Sequence, residues 1–169
     1  SAMNSTAWEQ WVFDATSDDG ASGIMVGLCR DPNYAFFGQG NLHVQFLHAL
    51  GDEEPTTDLV FLQRSSLFDC GGYVASYWVN EAKGYEFMFT MHPDLDAVAL
   101  RITTPRVRGN LTFVGTAPGH YPDGSPMLQS PGSPIPDTDS AALVAPGLYM
   151  CNTVPGARVT GVLELDDVP

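Results

Sequence analysis

The feature that most constrains this chain is a rhythm of short apolar runs with a period of two, cut at near-regular intervals by turn residues. The first run, EQWVFDAT, sets the pattern: Trp11, Phe13 and Ala15 fall on one face, and Gln10, Val12 and Asp14 on the other. Further runs rich in Val, Phe, Tyr, Leu and Thr predict strands over 9–16, 22–30, 41–50, 58–65, 72–79, 85–91, 97–104, 107–115, 147–153 and 157–165. The breaks between them carry turn chemistry, as in Ser17-Asp18-Asp19-Gly20, Gly51-Asp52-Glu53-Glu54-Pro55, Cys70-Gly71-Gly72, Ala82-Lys83-Gly84 and Pro93-Asp94. No segment shows a helical period with caps, although residues 32–37 fit a short helical turn. The expectation is an all-β fold, an antiparallel β-sandwich or barrel of about ten strands.

A chain of 169 residues with 44% hydrophobic and 16% charged residues has the composition of a folded domain with its own core. We read it as a single β-domain over 1–169. Residues 116–146 stand apart, because GHYPDGSPMLQSPGSPIPDTDS is dense in Pro, Gly and Ser and makes a long loop or arm. Within it, an aromatic before Pro-Asp-Gly in His120-Tyr121-Pro122-Asp123-Gly124 predicts an anchored turn.

Charge narrows the partners. Twenty acidic residues against seven basic ones give a net charge of −13. Such a chain repels phosphate, which argues against nucleic acid and anionic membrane surfaces as partners. No run approaches the roughly 20 apolar residues of a membrane helix. Cys29, Cys70 and Cys151 lie far apart with no C-x-x-C, against zinc or dithiol chemistry. They read as small buried residues, with one disulfide and a spare thiol as the alternative. Two glycosylation sequons occur, at Asn4 and Asn110. With the cysteines and the acidic balance they favour the secretory pathway over the cytoplasm.

Signatures of nucleophilic, metal and phosphate chemistry are missing. No Gly-x-Ser-x-Gly, no H-E-x-x-H and no glycine-rich phosphate cradle occurs. His43, His48, His92 and His120 lack tight ligand spacing, and Asp94 and Asp96 in HPDLDAV read as a turn. No metal or other cofactor is expected. Glu9, Asp14 and Glu86 could form a carboxylate pair only through the fold. The most informative run is NLHVQFLHAL, where Asn41, His43 and Gln45 share one strand face and Leu42, Val44 and Phe46 the other. That polar track is a solvent face by default, or the lining of a pocket with a few convergent polar groups. In SYWVN, Tyr77 and Trp78 point to opposite faces, so one of the two rings is exposed or lines a pocket.

Taken together, five stretches resemble a known family: WVFDATSDDG, GLCRDPNYAFFGQGNLHVQF, TPRVRGNLTF, HYPDG and APGLYMCNTVPGARVTGVLEL. In order, they are similar to the N-terminal half of the lipocalin-like fungal Diels–Alderases, relatives of the hydroxyneurosporene-synthase-like and AttH-like proteins. The resemblance implies a lipocalin-like β-domain. It also implies a partner, a second β-domain or chain corresponding to the C-terminal half, with the substrate held at or between the two. It implies a pericyclic cyclase that folds a hydrophobic polyene, or a quinone methide in the hetero reaction, into one Diels–Alder product in natural-product biosynthesis. The alternative is a non-catalytic lipocalin-like module that binds a hydrophobic ligand or completes a partner β-domain.

By the same resemblance, Asn41, His43 and Gln45 face the pocket, as do Gln10, Val12, Asp14 and Cys29. Asp14 has a second reading, as a cap on the Ser17–Gly20 turn. Tyr149 matches a tyrosine near the pocket, and Trp78 is a candidate wall. His43, Gln45 and Tyr149 are candidate hydrogen-bond donors, and His43 or Asp14 a candidate acid or base. Rate would come from pre-organising a flexible substrate.

Overall fold

The computed structural model describes residues 8–31, 40–52, 54–128 and 137–166. Asn4 and the helical turn expected over 32–37 lie outside the described residues. Among the described residues the chain is nearly all β and its sheets are antiparallel. Among the described residues no helix is long and apolar enough to cross a membrane. The chain divides into two compact units, 1–66 with 78–86 and 67–77 with 87–169.

The first unit is built on a four-stranded sheet in sequence order: β1 (Glu9–Thr16), β2 (Gly23–Arg30), β3 (Leu42–Ala49) and β4 (Thr56–Phe61). Alternation decides which face is core. Ile24, Val26 and Leu28 of β2, Val44 and Phe46 of β3 and Val60 of β4 share one face and are buried. Each fully buried apolar side chain of this size stabilises by roughly 1.5–3 kcal/mol. Trp78, Val79 and Leu62 are buried as well.

The β1–β2 turn is held by its own side chains. Ser17 Oγ donates to Asp19 Oδ1 at 2.6 Å, and the Ala21 amide donates to the same oxygen at 2.9 Å. Gly20 takes a positive φ of 72° at the tip. Asp19 therefore caps this turn, whereas Asp14 stands exposed in the strand opposite Met25.

The run expected as one strand over 58–65 is two. The Leu62 amide bonds Leu42 of β3 at 2.9 Å, and the next amide, Gln63, bonds Val79 at 2.9 Å. Two consecutive residues thus hand the chain from β4 to β5 (Arg64–Cys70), which pairs with β6 (Tyr73–Asn80). No Gly or Pro marks the switch. Asn80 fixes the corner beside it, donating from Nδ2 to Phe61 O at 2.8 Å and accepting from the Lys83 amide at 3.1 Å. A single 3-10 turn, Glu81–Lys83, follows and ends at Gly84 in the left-handed region.

The second unit contains β7 (Tyr85–Met91, from Phe87 on), β8 (Ala97–Thr103), β9 (Val107–Gly115) and β12 (Ala157–Leu165). Val98, Leu100 and Ile102 alternate inward along β8, and Val107, Leu111 and Phe113 along β9. Thr104, 2% exposed, closes the β8–β9 turn: its amide bonds Val107 O at 2.9 Å and its Oγ1 accepts from the Val107 amide at 2.8 Å. Gly109 and Gly161 let β9 and β12 approach closely. A Cβ at Gly109 would land on the Val162 carbonyl oxygen, and one at Gly161 on that of Asn110.

Within the Pro/Gly/Ser-rich stretch, His120 and Asn152 exchange two backbone bonds, at 2.9 and 3.0 Å. The Gly124 amide returns to Tyr121 O and Asp123 Oδ1 accepts from the Ser125 amide, so the HYPDG turn is formed. A five-residue helix, α1 (Thr138–Ala142), leads into a small hairpin of β10 (Leu143–Ala145) and β11 (Leu148–Tyr149). The strand expected over 147–153 is confined to those two residues of β11.

Candidate functional site

The face of the four-stranded sheet opposite its core carries the candidate site. Register follows from the antiparallel pairings: Gln10, Cys29, His43 and Phe61 form one cross-strand row, and Val12, Gly27, Gln45 and Leu59 form the next. The Asp14, Met25, Leu47 and Thr57 row follows. Directly opposed residues share a face, so four separate runs of sequence converge here.

The first row is sheltered at its centre, with Cys29 6% and His43 3% exposed, while Gln10 at its β1 end is exposed. The second is open, with Val12 at 51% and Leu59 at 48%. A cleft of about 320 Å³ sits over the first row, lined by Trp8, Glu9, Gln10, Cys29, Arg30, Asp31, His43 and Gln45. One end of the face is therefore polar and partly sheltered. The rest is a mixed stretch of Val12, Leu59, Met25 and Leu47 with exposed Asp14.

Burial keeps two of the cleft's titratable side chains, Cys29 and His43, neutral. Burial pushes the Cys29 thiol up to about 11; the charge of Asp31 adds to this, and a hydrogen bond from Gln10 opposes it. At neutral pH Cys29 is a thiol. Burial also holds His43 below the ordinary histidine value, against a smaller opposing pull from Asp31. A neutral imidazole keeps one donor nitrogen and one acceptor nitrogen. Its ring lies 6.2 Å from that of Phe61.

Arg30 belongs to the cleft rim but is held from below. Its Nη1 meets Glu9 Oε2 at 3.1 Å, its Nε donates to Ser65 Oγ at 3.1 Å, and its guanidinium lies 5.3 Å from the Trp78 ring centroid. Four neutral groups, Gln10, Cys29, His43 and Gln45, and the carboxylate of Asp31 thus line a cleft whose one cation is engaged.

Of the residues the sequence pointed to, Gln10, Cys29, His43 and Gln45 line the cleft. Val12 and Asp14 lie on the same face beyond it. Asn41 is exposed ahead of β3, its carbonyl accepting from the Asp31 amide at 2.8 Å. Trp78 is fully buried beneath Arg30, because the inward positions of β6 carry Ser76, Trp78 and Asn80. It supports the rim and does not line the cleft. Tyr149 belongs to the second unit, at the end of a two-residue strand, and is 59% exposed.

Asn110 is exposed midway along β9, in register with Arg101 and Val162. All three cysteines are free thiols; only Cys29 is buried, on the cleft face, and the expectation of three buried cysteines fails at Cys70 and Cys151, which are exposed. Glu9 and Asp14, an odd number of positions apart on β1, face opposite sides and make no carboxylate pair. His92 lies 2.9 Å from Asp96 and 3.7 Å from Asp94, all in one exposed hairpin.

Sequence reasoning missed Trp8, Glu9, Arg30 and Asp31 as cleft residues. The available signal was the Cys29-Arg30-Asp31 string, two charges at the end of an otherwise apolar strand.

Known proteins match this chain closely. It is 38% identical over 157 residues to the hexane cyclase xenF of Xenoacremonium sinensis, covering 93% of this chain and 34% of that one. It is 32% identical over 166 residues to the Diels-Alderase mycB of Thermothelomyces thermophilus, covering 98% and 37%. The chain thus spans little more than a third of the length of these relatives. A crystal structure of CghA with Sch210972 superposes with a TM-score of 0.73 at 26% identity, covering 94% of this chain and 39% of that one. Over residues 1–169 the chain matches the Diels-Alderase-like family, and it belongs to that family.

Proposed function

We propose that this chain supplies one wall of a pericyclic cyclase that closes a hydrophobic polyene, or a quinone methide in the hetero reaction, by Diels–Alder cycloaddition in natural-product biosynthesis. The observation that carries this reading is the row of neutral groups, Gln10, Cys29 and His43 with Gln45, set in a cleft at one end of a partly apolar sheet face. A cycloaddition forms its bonds in one concerted step and needs no nucleophile. What a protein contributes is conformation and polarisation. Holding diene and dienophile in a near-attack shape replaces an entropic cost otherwise met at the barrier. A donor aimed at the carbonyl conjugated to the dienophile stabilises the charge that gathers on its oxygen.

The neutral His43 and the Gln45 amide are those donors, and Val12, Leu59 and Phe61 take the hydrocarbon. Where a substrate must first lose water, His43 or Asp14 moves the proton. The facing wall is a second β-domain or chain, and the relatives named as cyclases are long enough to contain one.

The test is a chimera in which this chain replaces the corresponding segment of mycB. It is given a linear polyenoyl tetramic acid and followed by chromatography and mass spectrometry against the protein-free rate. Cyclisation above that rate is expected, with a loss of roughly a hundredfold after His43→Ala and Gln45→Ala together. Unchanged turnover after both substitutions overturns the assignment of these donors. Tight binding of the polyene without turnover identifies the chain as a ligand-binding module.

A further inference from the structure

Gly27 occupies the middle of β2 on the site face, between Val12 of β1 and Gln45 of β3. Glycine weakens a strand interior, so its presence there calls for a reason. The backbone supplies none, since Gly27 is not among the glycines with positive φ. The surroundings do. A Cβ at this position would stand 3.4 Å from Gln10 Nε2 and 3.8 Å from the Gln45 Cβ. The Gln10 carboxamide therefore rests over the bare backbone of β2, beside Cys29, the cross-strand partner of Gln10.

Resting on the cyclase reading above, we propose that Gly27 is a positioning residue of the cleft. It seats the Gln10 carboxamide across β2, so that Gln10 and Gln45 present neutral amides from opposite sides of one strand, and it thereby sets which groups the cleft admits. The ligand class this selects is a carbonyl-bearing head group that can take hydrogen bonds from two amides. An alanine at position 27 makes ordinary contact with Gln10 and leaves it in place. A valine puts its branches where the carboxamide lies, lifts it from Cys29 and narrows the space between the two glutamines.

The experiment uses the full chain, with Cys70 and Cys151 replaced by serine so that Cys29 is the only thiol. In isotope-labelled protein, the Gln10 side-chain NH2 should show Overhauser contacts to the α protons of residue 27 and the β protons of Cys29. Gly27→Ala should keep them and Gly27→Val should lose them, with backbone amide spectra confirming the fold. Alkylation of Cys29 by iodoacetamide should slow about tenfold in Gln10→Ala, the effect of losing one hydrogen bond to a charged sulfur. It should slow similarly in Gly27→Val, and no further when the two are combined.

Retention of the Gln10 contacts in Gly27→Val, or additive slowing in the double variant, overturns the proposal. Their absence from the unsubstituted protein does so without any substitution at position 27. None of these readouts requires turnover. A chimera that fails to cyclise any polyene would remove the cyclase reading while leaving the Gly27 result to stand or fall by itself.

Discussion

His43 shows how a strand position becomes a chemical one. It is 3% exposed on the face opposite the core, and burial depresses its proton affinity. The unfolded chain therefore binds a proton more readily than the folded one, and stability should fall as pH drops below the ordinary histidine value of about 6.5. Thermal melts between about pH 5 and pH 7 should show that slope, and His43→Gln should flatten it. An unchanged slope would mean that His43 does not titrate against folding. The alternation of polar and apolar residues in NLHVQFLHAL made the shared face of His43 and Gln45 legible. The alternation alone did not bring Gln10 and Cys29 beside them, which only the family resemblance suggested, because register between strands is written in turn geometry and packing. Trp78 was legible as an aromatic of β6 but not as a buried support, since only the inward set Ser76, Trp78 and Asn80 reveals its side.

At the scale of elements, pairing depends on what lies between strands. Gly161 and Gly109 sit where β9 and β12 approach too closely for a Cβ, so Gly161→Ala forces a methyl group onto the Asn110 carbonyl oxygen. The expected loss exceeds the roughly 1–3 kcal/mol usual for overpacking, because the clash is with backbone and Gly161 also holds a positive φ of 158°. Gly20→Ala is the contrasting case: nothing lies within 4 Å of its Cβ. Its positive φ still costs about 1–2 kcal/mol, but without disturbing any pairing. Denaturant melts should rank both below the unsubstituted chain. Amide spectra should show shifts spread along β9 and β12 only for Gly161→Ala. Most strand positions were legible from alternation and turn residues. The break inside 58–65 was not, because DLVFLQR is continuous and the change of partner at Leu62 and Gln63 is decided by Leu42 and Val79, distant in sequence. Helix α1 escaped notice because five residues carry too little periodicity.

For the whole molecule the governing quantity is charge. With a net charge of −13 the folded chain repels itself, and salt screens that repulsion. Melting temperature should rise from low salt to roughly physiological ionic strength, where the Debye length is about 8 Å. The chain should pass through a heparin column under the same conditions; retention would point to a cationic surface that the sequence does not suggest. The same balance bears on the cleft, where Asp31 and Glu9 stand beside neutral amides and Arg30 is held by Glu9 and Ser65. Family membership was legible from the order of five stretches, none sufficient alone, because a β-fold of this kind spreads its identity over turns and strand ends.

The switch at Leu62 and Gln63 also makes the chain its own reporter. Two neighbouring amides, one peptide unit apart, are locked to carbonyls of different strands. Their exchange with heavy water samples the opening of two separate hydrogen-bonded ladders from adjacent positions. Matched rates would mean that β3 and β6 release together as one cooperative unit. Unequal rates would show which ladder lets go first, and so whether the wall bearing the cleft survives when its neighbour frays.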